Sequence, residues 1–181
     1  MLFISAALTV SAVIGLGISA VCWKLAHQVE PIPEEKIESW GEYWPLVTSF
    51  YQMLPSKPSG TGWAGAHCAA VGSITVRPGD PVPVRQIICD DDNDLTTVFT
   101  EYANPADLKT YVDAHTVRVR ERESPGGSMA LLRPTDPSAT FVMASHPSAE
   151  PNGQTMLVEA SSPGKTFDDL YLSWWLWAQI K

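Results

Sequence analysis

Apolar side chains run unbroken by charge from Met1 to Trp23, with Leu2, Phe3, Ile4, Leu8, Val10, Val13, Ile14, Leu16, Ile18 and Val21 spaced among Ala, Gly, Ser and Thr. At 1.5 Å per residue such a stretch makes a helix of about 34 Å, longer than a hydrocarbon core of about 30 Å. The pattern predicts a transmembrane helix over 1–23, closed by Lys24 and with Trp23 at the interface. A cleaved signal peptide is the alternative. Ile18-Ser19-Ala20 resembles a cleavage site, but the basic residues that normally open a signal peptide are missing.

Pro31 and Pro33 break any continuation of this helix. From there Ile37, Trp40, Trp44, Val47, Tyr51 and Leu54 recur at alternating intervals of three and four, which predicts one helical face. Pro45 divides it into two short helices, about 34–43 and 45–54, since proline is accepted at a first helical turn. Two readings of this face stand side by side. In one, Trp40, Tyr43 and Trp44, with Trp23, anchor the chain at the membrane interface. In the other, the helix packs on the folded domain; the absence of a basic face favours this second reading. Pro55, Pro58, Gly60, Gly62 and Gly65 mark residues 55–65 as a linker, so 24–65 reads as juxtamembrane and 66–181 as the folded domain.

Within that domain, runs rich in β-branched and aromatic residues predict strands at Val71–Arg77, Val84–Cys89, Leu95–Tyr102, Ser128–Arg133, Ala139–Ala144 and Gln154–Ala160, separated by Pro-, Gly-, Asp- and Ser-rich turns. The charged run Arg118–Glu123 reads as a solvated surface segment. Asn104-Pro105-Ala106-Asp107 supplies an N-cap, a first-turn proline and an acid at the positive end of a helix. A last helix opens at Thr166, with Asp169 placed as in a capping box. The resulting fold class is α+β: an N-terminal transmembrane helix, then an antiparallel sheet packed against two or more helices.

Charge narrows the partners. A net charge of −8 argues against a nucleic-acid partner, whose binding needs Lys and Arg against phosphates. It also disfavours adhesion to anionic lipid. Seven tryptophans are the compositional oddity. Three of them, Trp174, Trp175 and Trp177, fall in the last helix, where Phe167, Leu170, Tyr171, Trp174 and Ala178 form one face and Leu172, Trp175, Leu176 and Trp177 leave apolar side chains on others. The three predict a partner-binding surface, with burial in the core as the alternative, weightiest for Trp174.

Candidate chemistry is sparse. Cys68 and Cys89 flank the first strands and predict a disulfide closing a loop of about 20 residues, if the domain is exported; Cys22 lies within the span. Asp90, Asp92, Asp94, Thr96 and Glu101 fall at calcium-loop spacing, but Leu95 stands where that loop needs glycine, so an acidic turn is the simpler reading and no metal is expected. His67 beside Cys68 suggests a thiol nucleophile only if that cysteine is unpaired. No catalytic motif and no cofactor-binding loop is present in the sequence.

Cys68, Cys89, the segment Tyr102-Ala103-Asn104-Pro105-Ala106-Asp107-Leu108 and the ending Thr166-Phe167-Asp168-Asp169-Leu170-Tyr171 with Trp174-Trp175 resemble extracytoplasmic domains of actinobacterial membrane proteins. The nearest likeness is to the outer domain of some mycobacterial serine/threonine kinases, over about residues 64–178. The chain departs from them in carrying only its N-terminus, and no kinase domain, on the other side of the span. The resemblance implies a sensor-like role exercised through a separate partner. The expectation is therefore a non-catalytic, single-pass membrane protein whose C-terminal domain lies outside the membrane and acts through a protein partner. No basic residue precedes the span while Lys24 and Lys36 follow it, so the charge rule opposes that orientation; the acidic Glu30–Glu35 stretch and the cysteine pair favour it and decide the expectation. The alternatives are an accessory subunit docking through its span, and a small cell-envelope hydrolase.

Overall fold

The computed structural model describes residues 39–124, 127–136, 139, 141–145 and 155–178. The expected span 1–23, with Trp23, and the start of the first juxtamembrane helix lie outside the described residues. Among the described residues, no helix is long and apolar enough to cross a membrane.

The centre is a seven-stranded sheet in the order β1-β2-β3-β7-β6-β5-β4, with every neighbouring pair antiparallel. Its strands are β1 (His67–Ala70), β2 (Arg85–Asp90), β3 (Thr96–Glu101), β4 (Thr116–Ser124), β5 (Gly127–Pro134), β6 (Phe141–Ser145) and β7 (Met156–Ser161). Two meanders build it: β1–β2–β3, and β4 back through β5 and β6 to β7, which pairs with β3. This order makes β3 and β4 run the same way. Such a connection cannot be a hairpin and needs a crossover, supplied by the helix α2 (Pro105–His115). Its start is as expected, with the Asn104 side chain accepting from the Asp107 N–H at 2.9 Å.

Alternation along the strands sends residues to two faces. One face carries Ile87, Cys89, Phe99, Leu131, Val142, Met156, Val158 and Ala160, and forms the main core. It is covered by the N-terminal helical segment, with α1 (Trp44–Ser49) at its centre, and by the C-terminal helix. The C-terminal helix is a single α-turn, α3 (Phe167–Leu170), that widens into a π-turn over Tyr171–Trp175. The other face, with Ala130, Leu132 and Leu157, packs under α2 through Leu108, Tyr111 and Val112. The molecule is thus three layers, helices on both sides of an antiparallel sheet.

Several expectations change. Val71–Arg77 is not a strand: β1 lies earlier, and residues 71–84 form an irregular connection. Pro78, Pro81 and Pro83 lack the N–H groups a ladder needs. Arg118–Glu123 is part of β4, an edge strand whose alternating charges and bulge between Arg118 and Arg120 disfavour pairing with a further strand. The aromatic stripe over 37–54 also splits. Gly41, at φ 53°, starts a 3-10 turn that shifts the helical phase. Leu46, Val47, Phe50, Met53 and Leu54 turn inward, while Trp44 and Tyr51 remain exposed. Residues 55–65 do not behave as a free linker. Pro55 is buried, and the Trp63 N–H donates to the Met53 carbonyl at 2.8 Å.

Candidate functional site

The C-terminal helix is fixed by its first turn. Thr166 accepts from the Asp169 N–H through its side chain, and Asp169 accepts from the Thr166 N–H at 2.9 Å, completing a capping box with aspartate in the usual place of glutamate. Those bonds from Thr166, backbone first and hydroxyl second, hold the Asp169 carboxyl below its ordinary range. Beyond the cap, Leu170 and Trp174 are buried against the sheet, and Trp175 is only 3% exposed. The partner-binding assignment of Trp174 and Trp175 is therefore corrected: both are core. The π-turn rotates the following residues, so Leu172, Leu176 and Trp177 are 59%, 50% and 70% exposed. Of the three tryptophans, Trp177 alone presents its indole to solvent.

The interface assignments divide in the same way. Trp40 is buried, and its indole N–H donates to the Pro55 carbonyl at 2.8 Å. Tyr43 is half-buried and donates its hydroxyl to the Val71 carbonyl at 3.1 Å. Both serve packing, because an aromatic ring with a polar tip is held best where the tip finds a carbonyl. Trp44 is exposed. Cys68 and Cys89 stand directly opposite each other in the β1–β2 register and form the expected disulfide. Cys68 is thereby removed as a nucleophile.

The calcium-loop spacing produces a turn instead. Asp91 accepts from the N–H groups of Asn93 and Leu95, Thr96 donates to Asp90, and Glu101 lies at the far end of β3 in an ion pair with Arg85. His67 pairs with Asp90 at the opposite end of β2 from that ion pair, so His67 and Glu101 do not converge on one site. No group of three or more metal-ligating side chains occurs among the described residues.

A polar cluster under α2 was not anticipated from sequence. His115, at the helix end, meets Asp80 of the 71–84 connection, Nε2 to Oδ1, at 2.8 Å. Tyr111 stacks between Tyr102 and His115, with ring centroids 5.7 and 4.7 Å away. Glu159 lies on the same sheet face. Burial raises its carboxyl to about 7, an effect only partly offset by the charges of Arg77 and His115. Burial, aided by Glu159, pushes Tyr111 up to about 12 and raises Tyr102 further. Both phenols stay protonated, and the Glu159 carboxyl is the group of the cluster raised to near neutrality. The one sequence signal was an acid inside the apolar run Met156-Leu157-Val158-Glu159-Ala160.

Comparison of the chain with protein-family models, with curated proteins and with solved structures finds no match in any of the three.

Proposed function

We propose that this chain is a non-catalytic extracytoplasmic binding or accessory domain, held at the membrane by residues 1–23 and acting through a protein partner. The observation that carries this reading is the C-terminal helix: Leu172, Leu176 and Trp177 are each half exposed or more within six residues, beside a wholly buried Trp174. A large aromatic on a rigid, well-anchored turn is the kind of residue on which binding energy concentrates. The Cys68–Cys89 disulfide supports an oxidising compartment, and the charge-free stretch at the N-terminus supports the anchor. The resemblance of the sequence to extracytoplasmic domains of actinobacterial membrane proteins belongs to the same reading.

A photo-crosslinker placed at position 177 of the full chain, in native membranes, is expected to give one discrete protein adduct. The same group at the exposed Val119 on the β4 edge is expected to give none. Equal labelling from both positions, or none from 177, refutes the partner surface. A second reading, docking through the span itself, rests on Gly15, Gly17, Ser19 and Ala20, which allow close helix approach in lipid. Exchanging residues 1–23 for an unrelated span separates the two: the adduct from position 177 survives only if the soluble domain makes the contact.

A further inference from the structure

Three segments distant in sequence enclose a cavity of about 400 Å³ on the side of the molecule that carries the disulfide. Trp63 and Ala64 come from the turn before β1, Asp91, Asn93 and Leu95 from the β2–β3 hairpin, and Ser162, Lys165, Leu170 and Ser173 from the chain after β7. The first two walls hang from the two halves of the disulfide. Gly62, next to Trp63, leaves so little room that an added Cβ would stand 2.6 Å from the Met53 carbonyl oxygen and 3.3 Å from the Cys68 sulfur. The Gly62 N–H donates to Ala66 and the Trp63 N–H to Met53, both at 2.8 Å. Across the cavity, Asp91 Oδ1 accepts from the Asn93 and Leu95 N–H groups at 2.7 and 2.9 Å, and Cys89 precedes Asp91 by two residues, in β2. Ala64 and Asp94 are the two non-glycine residues with positive φ among the described residues, and they flank this cavity. The walls are fixed before any ligand arrives, which lowers the cost of binding.

We propose that this cavity is a second binding site, for a saccharide. Trp63, Leu95 and Leu170 supply its apolar lining, the first two partly buried against the main core, and an indole is suited to the C–H surface of a sugar ring. Around it stand the polar residues Asp91, Asn93, Ser162 and Lys165, and Ser173, whose hydroxyl donates to the Asp169 carbonyl at 2.7 Å and so is left as an acceptor. Asp91 opposes a simple anion and Lys165 a simple cation, so the ligand is one that offers hydroxyls rather than a single charge. A zwitterionic peptide fits less well, because Asp91 already spends one oxygen on two backbone N–H groups. The volume lies within the range of small-ligand pockets and holds one to two sugar rings.

The test is a titration of the full chain, isotopically labelled and held in phosphocholine micelles that carry no sugar, followed by NMR. The probes are trimers of glucose, of N-acetylglucosamine and of galacturonic acid, with the dipeptide Ala-Ala as the competing class, each up to about 10 mM to reach weak affinities. At least one trimer is expected to move the Trp63 indole and Asn93 amide resonances saturably. Trp63→Ala should weaken that binding by about tenfold or more. Asn93→Ala and Lys165→Ala alter exposed side chains and leave the fold intact, so they carry the test should Trp63→Ala fail to fold. Silence from all three trimers, shifts that survive all these substitutions, or a response to the dipeptide alone overturns the proposal. The titration needs no protein partner, so its failure leaves the Trp177 surface standing, and Trp177→Ala should not change it.

Discussion

Glu159 lies two residues along β7 from the buried Leu157, on the face that α2 covers, and carries a charge its surroundings do not welcome. Its carboxyl holds a proton up to about pH 7 in the folded chain but only to about 4.5 when unfolded. Between those values the unfolded state binds fewer protons, so this group's contribution to stability is full below about 4.5 and falls as pH rises toward 7. Glu159→Gln, which cannot ionise, should leave stability at pH 4 nearly unchanged. At pH 8 it should raise it by on the order of 2 kcal/mol, allowing for partial access of water. Urea melts at the two pH values check this; equal effects at both would show that Arg77, His115 and the Tyr102 and Tyr111 hydroxyls already compensate the charge. The tryptophans at the other face separate as sharply. Trp174→Ala should cost about 3–5 kcal/mol, a large buried side chain being lost, whereas Trp177→Ala should shift the melting temperature little. Helical periodicity set Trp174 on one face with Leu170 and Ala178, all buried, and Trp177 off it, exposed; it missed the burial of Trp175, which lies in the π-turn.

Local signals wrote some elements and missed others. The Asn104 cap, the Pro105 first turn and the Thr166–Asp169 capping box each sit where a short motif placed them, since a cap is a bond between residues two or three apart. Asn104→Ala should therefore destabilise by about 1 kcal/mol, readable in thermal unfolding. The helix α2 carries further local support from the Lys109–Asp113 ion pair. By contrast, β4 reads as a charged surface run because it is an edge strand, half of whose ladder faces water, so charge and strand coexist. Val71–Arg77 fails in the opposite direction: the backbone leaves β2 after the Val71 N–H, which donates to the Gln86 carbonyl at 2.9 Å, and β-branched composition alone does not make a strand. The β1–β2 pair is held by the one cross-link the sequence announced. Replacing Cys68 and Cys89 by serine should cost about 3 kcal/mol in the chain-entropy account, seen as a lower denaturant midpoint that reductant no longer changes. An unchanged midpoint would mean that the strand pair needs no staple.

At the scale of the whole molecule, the α+β class, the antiparallel pairing and the cysteine bridge follow from alternation, turn composition and cysteine spacing, all properties of neighbouring residues or of a pair. Which residues share a face does not. Trp40 becomes core because the main sheet face needs a cover and the segment over 40–54 supplies half of it, so a stretch that composition assigns to a tether is built into the domain. The cavity at Trp63 and the cluster at Glu159 each draw on segments tens of residues apart, brought together by the β3–α2–β4 crossover and the return of β7 to β3. Sequence by itself determined the local conformations, the charge balance and the cross-link, because these depend on interactions within a few residues or on chemistry that only one residue type can perform. Tertiary structure decided burial, and with it the proton affinity of Glu159, the exposure of Trp177 and the walls of the cavity, because each depends on what the rest of the chain lays over it.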